Sequence, residues 1–509
     1  MENRRRLSPV RVFIATFTLV IIAYACFWFI NRSKEIKNET IASSWFAPYV
    51  DVTSTPRFAF EQLGGTPNQK NIILSFIVSS HTDPCTPSWG ANYSLDDAST
   101  KLDLDRRIAR FRQLGGNISI SFGGLLNDEL AVNCVNKDAL FTAYTKVISR
   151  YEIDTIDFDI EGNDLTNINA LKRRAEVIAS LQKEQRSQGK NLAVWLTLPV
   201  APQGLTQDGT NAIAEMLAAK VDIAGINVMT MDYEKSLSEN ESMEKGSEDA
   251  LNETHRQLGI LFKNAGIYLN SVSLWAKIGA TPMIGQNDTI NQIFTLNDAN
   301  KFNEFAITNN IARMSMWSAN RDVECGENYV NISVVSDSCS GVKQDKYSFA
   351  NTLSKGFEGK ISNNASLITA EDPETIQKPD NPANSPYQIW TESGTYLEGT
   401  KVVWHQNVYE AKWWTEGDLP DNPVLQSWQT PWQLIGPVLP GERPIPQPTL
   451  APGTYPEWSG STIYDEGNRV LFNGTPYQAK WWTQGDSPAA STSNPDSSPW
   501  KVLNEDNLK

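Results

Sequence analysis

Hydrophobic and polar positions follow two rhythms along the first two thirds of the chain. Short β-branched or aromatic runs predict strands at residues 45–52, 72–79, 117–122, 155–161, 193–199, 223–231, 277–284 and 312–317. Between them, apolar residues at three- and four-residue spacing predict helices that include 101–114, 139–151, 168–187, 210–220, 247–264 and 299–309. Alternation of this kind over about 300 residues predicts an α/β fold, a (β/α)8 TIM barrel spanning 41–360. Such a barrel carries its chemistry at the carboxyl ends of its strands.

After residue 356 the pattern changes. Residues 361–386 are polar, hold Pro373, Pro379, Pro382 and Pro386, and read as a linker. Then the sequence repeats. Trp390, Tyr396, Gly399, Val402, Tyr409, the run from Ala411 to Thr415, Gly417, Asp418, Pro420 and Trp432 recur 68 residues later as Trp458, Tyr464, Gly467, Val470, Tyr477, the run from Ala479 to Thr483, Gly485, Asp486, Pro488 and Trp500. One fixed offset predicts two copies of a small all-β module, 387–435 and 457–503, joined by a proline-rich spacer at 436–456. Each copy lacks cysteine and is near the lower size limit for a free-standing core, so some of its aromatics must be buried. Adjacent strand residues face opposite ways, so at least one ring of each pair Trp413–Trp414 and Trp481–Trp482 is expected at the surface. A flat exposed ring stacks on the apolar face of a sugar without using charge, which suits a neutral polymer as partner.

Composition narrows the setting. Arg4, Arg5, Arg6 and Arg11 precede an uncharged run of 19 residues, 12–30, and Arg32, Lys34 and Lys37 follow it. That length comes close to the hydrocarbon thickness of a bilayer. An N-terminal signal anchor at 1–40 is expected, with everything after it outside the cytoplasm. The alternative is a signal peptide cleaved near Ala25; the chain is exported in both cases. Cys26 lies in the run, leaving Cys85, Cys134, Cys325 and Cys339 in an oxidising compartment. Three pairings are open; Cys85–Cys134 with Cys325–Cys339 is expected, the second closing a short polar loop. The net charge of −15 argues against nucleic acid or an anionic membrane surface as partner. The three histidines, His81, His255 and His405, are far apart, and no metal or cofactor is expected. A monomer is expected.

The stretch Asp154-Thr155-Ile156-Asp157-Phe158-Asp159-Ile160-Glu161 carries the candidate chemistry. On a strand, Ile156, Phe158 and Ile160 face one way and Asp157, Asp159 and Glu161 the other. Three carboxylates so close cannot all be ionised in a low-dielectric site, and a displaced proton is what an acid catalyst needs. Asp154, on the other parity, is read as structural. Other residues gather at strand ends: Ser121, Gly123 and Gly124 after the third strand, Met229, Asp232 and Tyr233 after the sixth, and Trp317 after the eighth. The glycines would let a ligand approach the backbone, and Trp317 would floor a sugar subsite.

This constellation resembles the family-18 glycoside hydrolases, the chitinase family. Asp154, Asp157, Asp159 and Glu161 match the fixed positions of its fourth-strand signature, and Ser121, Gly123 and Gly124 match its third-strand motif. Many members place a tyrosine where Met231 stands here, one residue before Asp232. The paired modules resemble carbohydrate-binding families 5 and 12. The resemblance implies a chitinase with substrate-assisted, retaining chemistry. Glu161 would be the general acid, Asp159 would orient the 2-acetamido group, Asp157 would share a proton with Asp159, and Asp232 with Tyr233 would hold the acetamido oxygen. Met229, Ser121, Gly123, Gly124 and Trp317 would line the substrate groove, and Trp413, Trp414, Trp481 and Trp482 would hold chitin. The stretch from strand seven to strand eight has room for one helix, without the α+β insertion of some members, which implies an open groove and internal cutting. An endo-β-N-acetylglucosaminidase acting on glycoprotein glycans and a non-catalytic chitin-binding surface protein are the alternative readings.

Overall fold

A computed structural model of the chain describes residues 44–65, 69–327, 334–361, 379–444, 448–488 and 498–503. The apolar run 12–30 lies outside the described residues. Among those described, no helix is long and apolar enough to cross a membrane. The chain divides into two compact units, one of residues up to 255 with 268–370, the other of 256–267 with 371–509.

The first unit is built on a parallel ladder. The strands Asn71–Ser79, Asn117–Gly123, Thr155–Asp159, Ala193–Ala201, Ile223–Thr230, Ile278–Pro282 and Arg313–Met314 each bond to the next in the same direction. The first strand is split at Ala47-Pro48. Trp45–Phe46 pairs with Arg313–Met314, and Tyr49–Asp51 pairs with residues 73–75. It thus touches both the second strand and the last. Proline has no N–H to give the ladder, but the Pro48 carbonyl accepts from Ile73 N at 3.0 Å.

Both faces of these strands are covered, as parallel sheets require. On one face Trp45, Tyr49, Ile73, Ala193, Trp195 and Ala312 form a buried cluster, with Trp45 edge-on to Trp195 at 5.6 Å. Ile361, assigned to the linker by its sequence, belongs to this core. On the other face Phe158 stacks on Phe122 at 5.4 Å, and both meet Tyr144 of the helix Lys137–Tyr151. The helices start where capping side chains permit. Asn167 accepts from Ala170 N ahead of Ile168–Ser187, and Thr295 and Asp298 form a reciprocal box ahead of Leu296–Asn309. Between the last two parallel strands there is more than the single helix expected. A short antiparallel pair, Gly285–Gln286 with Ile293–Phe294, precedes it. The disulfides are Cys85–Cys134 and Cys325–Cys339.

The second unit repeats one small β arrangement. Lys401–Trp404, Asn407–Ala411 and Trp432–Pro437 form an antiparallel sheet, beside the pair Thr395–Tyr396 and Thr415–Glu416. Arg469–Phe472, Thr475–Ala479 and Trp500–Val502, with Ile463–Tyr464 and Thr483–Gln484, do the same 68 residues on. The cores correspond: Tyr396 lies 5.2 Å from Trp432, and Tyr464 lies 5.1 Å from Trp500. The Asp380 side chain accepts from His405 N and Gln406 N, so ordered contacts of the first copy begin before residue 387.

Candidate active site

The row of acids lies where its alternation places it. Register pairs Asp157 with Ser121 and Trp195, and Asp159 with Gly123 and Thr197. Asp157 is 1% exposed, and both its oxygens are fully engaged. Oδ2 accepts from Tyr49 Oη at 2.8 Å and Ser121 Oγ at 2.7 Å; Oδ1 accepts from Thr197 Oγ1 and Arg313 Nη1, each at 2.7 Å. With four donors on Asp157, no hydrogen bond joins it to Asp159. The expected sharing of a proton between them is therefore not the arrangement found; Asp157 acts on its neighbour through charge.

Asp159 is the opposite case. It is 5% exposed, and its Oδ1 has no hydrogen-bond partner. Burial, then the charges of Glu161 and Asp157, hold its carboxyl well above the usual carboxylate range, against the pull of Arg313. Glu161 is half-buried, and burial together with the charge of Asp232 pushes its carboxyl up to about 7. Its side chain does not cap the helix Gly162–Thr166 that it precedes. Asp232 is raised chiefly by burial, and its Oδ1 accepts from Thr289 N at 2.8 Å. The arrangement supplies a proton donor near neutral pH beside a buried acid with a vacant acceptor.

Arg313 anchors the row from within the sheet and was not anticipated. Its guanidinium lies 5.3 Å from the rings of Trp45 and Trp195. Nη2 donates to Tyr49 Oη at 2.7 Å, and Nε to Ser315 Oγ at 2.8 Å. Asn227 extends the network, donating to Thr197 Oγ1 at 3.0 Å and Thr281 Oγ1 at 2.8 Å. Phe76 was also missed: it stacks on half-buried Trp317 at 5.6 Å, and Trp317 leans on Tyr49 at 6.1 Å.

Several expected groove residues have other work. Ser121 is fully buried and serves Asp157. Gly123 admits the Asp159 carbonyl, which a Cβ would meet at 2.0 Å; Gly124 admits the Phe76 ring at 2.9 Å. The close approach they permit is by the protein itself. Met229 remains partly accessible. Tyr233 is the clearest correction. Asp232 has φ +48°, which turns the chain after the strand Ile223–Thr230. Tyr233 is consequently 2% exposed, with its hydroxyl 3.0 Å from Ser247 Oγ on the helix Met243–Asn264.

Comparison with known proteins follows the same division. Over 289 residues, 56% of this chain, the sequence is 32% identical to the probable bifunctional chitinase/lysozyme of Escherichia coli, covering 31% of that protein. Endochitinase 11 of Metarhizium anisopliae is also 32% identical over 289 residues, with 52% of its length covered. The chain thus spans about half the length, or less, of these curated relatives. The crystal structure of the catalytic domain of the hyperthermophilic chitinase from Pyrococcus furiosus is 26% identical with a TM-score of 0.52, over 62% of this chain and 97% of that one. The first unit is similar to chitinases. Its relatives are glycoside hydrolases, and the acid row lies in that unit. Residues 457–501 match carbohydrate-binding module family 5/12.

That match falls on the second copy of the repeat. In it Trp481 and Trp482 are 45% and 59% exposed, and in the first copy Trp413 and Trp414 are 42% and 54% exposed. Both rings of each pair face solvent. They occupy bends between strands, where the two-residue alternation of a strand does not apply. Buried Trp432 and Trp500 supply the cores instead, each donating its indole N–H to a backbone carbonyl, of Asp418 and Asp486 respectively.

Proposed function

We propose that the protein is an endo-acting chitinase that cuts β-1,4 bonds between N-acetylglucosamine units by substrate-assisted, retaining catalysis. The observation that carries this is buried Asp159 with an unpartnered Oδ1, one strand repeat from a glutamic acid raised to about 7. Glu161 gives its proton to the glycosidic oxygen as the bond to the anomeric carbon breaks. The carbonyl oxygen of the sugar's own acetamido group bonds to that carbon, so no protein nucleophile is required. Asp159 Oδ1 accepts the acetamido N–H and orients it. Asp157, fixed by its four donors, places a negative charge behind Asp159 that favours the cationic intermediate. Asp232 faces the acetamido oxygen without help from Tyr233. Water then adds to the anomeric carbon as the bond from that carbon to the acetamido oxygen breaks, and Glu161 takes the proton that the water gives up.

The strand pairing, with the first strand shared between the second and the last, supports a (β/α)8 barrel at 41–360. The repeated β arrangement supports a chitin-binding module at 387–435 like that at 457–503, with the tethers shortened to 362–379 and 438–456, since Ile361, Asp380 and Gly436–Pro437 belong to the folded parts. Two tethered modules raise the local concentration of the barrel on an insoluble polymer. Only a short hairpin and one helix stand between the last two strands, too little for a further wall, which supports the reading of an open groove and internal cutting. Two disulfides support an exported chain; the signal anchor proposed at 1–40 rests on the apolar run 12–30 alone.

The test is hydrolysis of colloidal and soluble chitin by the full chain beside Glu161→Gln. Internal cutting lowers the viscosity of soluble chitin before reducing ends accumulate. No release by the wild type would overturn the enzyme reading. Glycan release from a glycoprotein with chitin left intact would favour the endo-β-N-acetylglucosaminidase.

A further inference from the structure

The turn that presents Glu161 is tied to a buried ion pair. Glu161 begins a helix of five residues, Gly162–Thr166, and its carbonyl accepts from Asp164 N at 3.1 Å. Asp164 is 6% exposed, and its Oδ2 accepts from Glu129 N at 2.7 Å. Glu129 is itself immobilised, 0% exposed, taking Arg174 Nη2 at 2.6 Å and Tyr144 Oη at 2.5 Å. Arg174 belongs to the long helix Ile168–Ser187. A line of contacts therefore runs from that helix through Glu129 and Asp164 to the backbone of Glu161. A helix this short has little stability of its own, so its orientation depends on such a tie.

We infer that Asp164 is a positioning residue for Glu161, its carboxyl latching the Glu161 turn to the backbone of Glu129. The inference rests on the reading of Glu161 as the acid. It does not touch substrate, and its effect is on the placement of a proton donor that must lie within hydrogen-bond reach of the glycosidic oxygen. Asp159, which orients the acetamido group, is held in the strand Thr155–Asp159 by its pairing with Gly123 and Thr197, and Asp232 follows a different strand, so the groups that hold the sugar do not depend on the latch. Loss of the latch therefore lowers turnover and spares substrate binding.

The experiment compares Asp164→Ala and Asp164→Asn in the full chain on a soluble N-acetylglucosamine oligomer. An amide oxygen still accepts from Glu129 N, and a methyl group cannot. Asp164→Ala is expected to lower kcat by about tenfold or more with KM within about twofold, and Asp164→Asn to keep kcat within about threefold of wild type. Should Asp164→Ala fail to fold, Asp164→Gln, whose acceptor is displaced by one methylene, takes its place with the same expectation. Unchanged kcat in these variants, equal loss in Asp164→Asn, or a loss carried by KM overturns the inference. Inactive wild type would instead overturn the enzyme reading, so the two failures are distinct.

Discussion

Arg313 Nη1 lies 2.7 Å from Asp157 Oδ1, and both side chains are 1% exposed. Two opposite charges so deeply buried stabilise little as a pair, because each has lost its hydration. Breaking the pair is another matter, since one charge is left alone. Arg313→Met is expected to cost roughly 3–5 kcal/mol of stability. Arg313→Lys keeps the charge and loses the bonds to Tyr49 and Ser315, and should fall between that variant and wild type. Denaturant unfolding of the three proteins checks the order; equal midpoints would show that the pair does not hold the row.

Glu161 has its carboxyl pushed up to about 7, first by burial and then by the charge of Asp232. A general acid must be protonated, so kcat/KM should fall as pH rises through about 7 and be sustained below it. The same shift sets a stability sign. Below the ordinary glutamate range both folded and unfolded states hold the proton, and nothing is lost. As pH rises from there toward 7 the unfolded state ionises first, and native stability declines. Glu161→Gln escapes that decline. It should lose nearly all activity, and its melting temperature should exceed that of wild type at pH 8 but not at pH 4. A gain at pH 4 of the same size would remove ionisation as its cause.

Tyr233→Phe tests the burial of Tyr233 after the sixth parallel strand. Its hydroxyl meets Ser247 inside the fold, so its removal should change kcat/KM by less than about threefold. The lost hydrogen bond should cost about 1 kcal/mol in unfolding. A drop in kcat by two orders of magnitude with stability intact would return Tyr233 to the reacting sugar.

What was legible in the sequence and what was not have separate physical causes. Alternation along 154–161 is a property of the strand itself, so the facing of Asp157, Asp159 and Glu161 could be read directly. The 68-residue repeat needed no geometry at all. Tyr233 was misplaced because one residue with positive φ, Asp232, cancels the alternation that precedes it. The exposure of both Trp413 and Trp414 is illegible for the same reason, since strand parity does not hold through a bend. Arg313 escaped notice because a basic residue in a strand pattern reads as solvent-facing. Only the closing of the first strand against the last brings it to Asp157, across 156 residues of sequence. Ser121 reads as a groove residue because it stands with Gly123 and Gly124 at the end of the third strand. Its partner, Asp157, belongs to a neighbouring strand, and that register is set by the whole sheet.

The tandem modules offer a test in which exposed and buried tryptophans must behave differently. Trp481 and Trp482 stand in solvent, while Trp500 is 0% exposed and closes the core against Tyr464. Burying about 60 Å² of an exposed ring against a sugar contributes on the order of 1.5 kcal/mol, or about tenfold in affinity. Trp481→Ala and Trp482→Ala should therefore each weaken adsorption to insoluble chitin by about tenfold at that module while leaving its fold intact. If both copies bind chitin as proposed, the other continues to tether the catalytic unit, so a clear loss of attack on insoluble chitin requires Trp413→Ala and Trp414→Ala as well. Hydrolysis of a short soluble oligomer should be unchanged in the fourfold variant. Trp500→Ala should instead unfold its module, at a cost of roughly 3–5 kcal/mol. Adsorption isotherms on chitin, read beside near-ultraviolet circular dichroism, separate the two outcomes. If the fourfold variant adsorbs as wild type does, the exposed rings are not the chitin-binding surface.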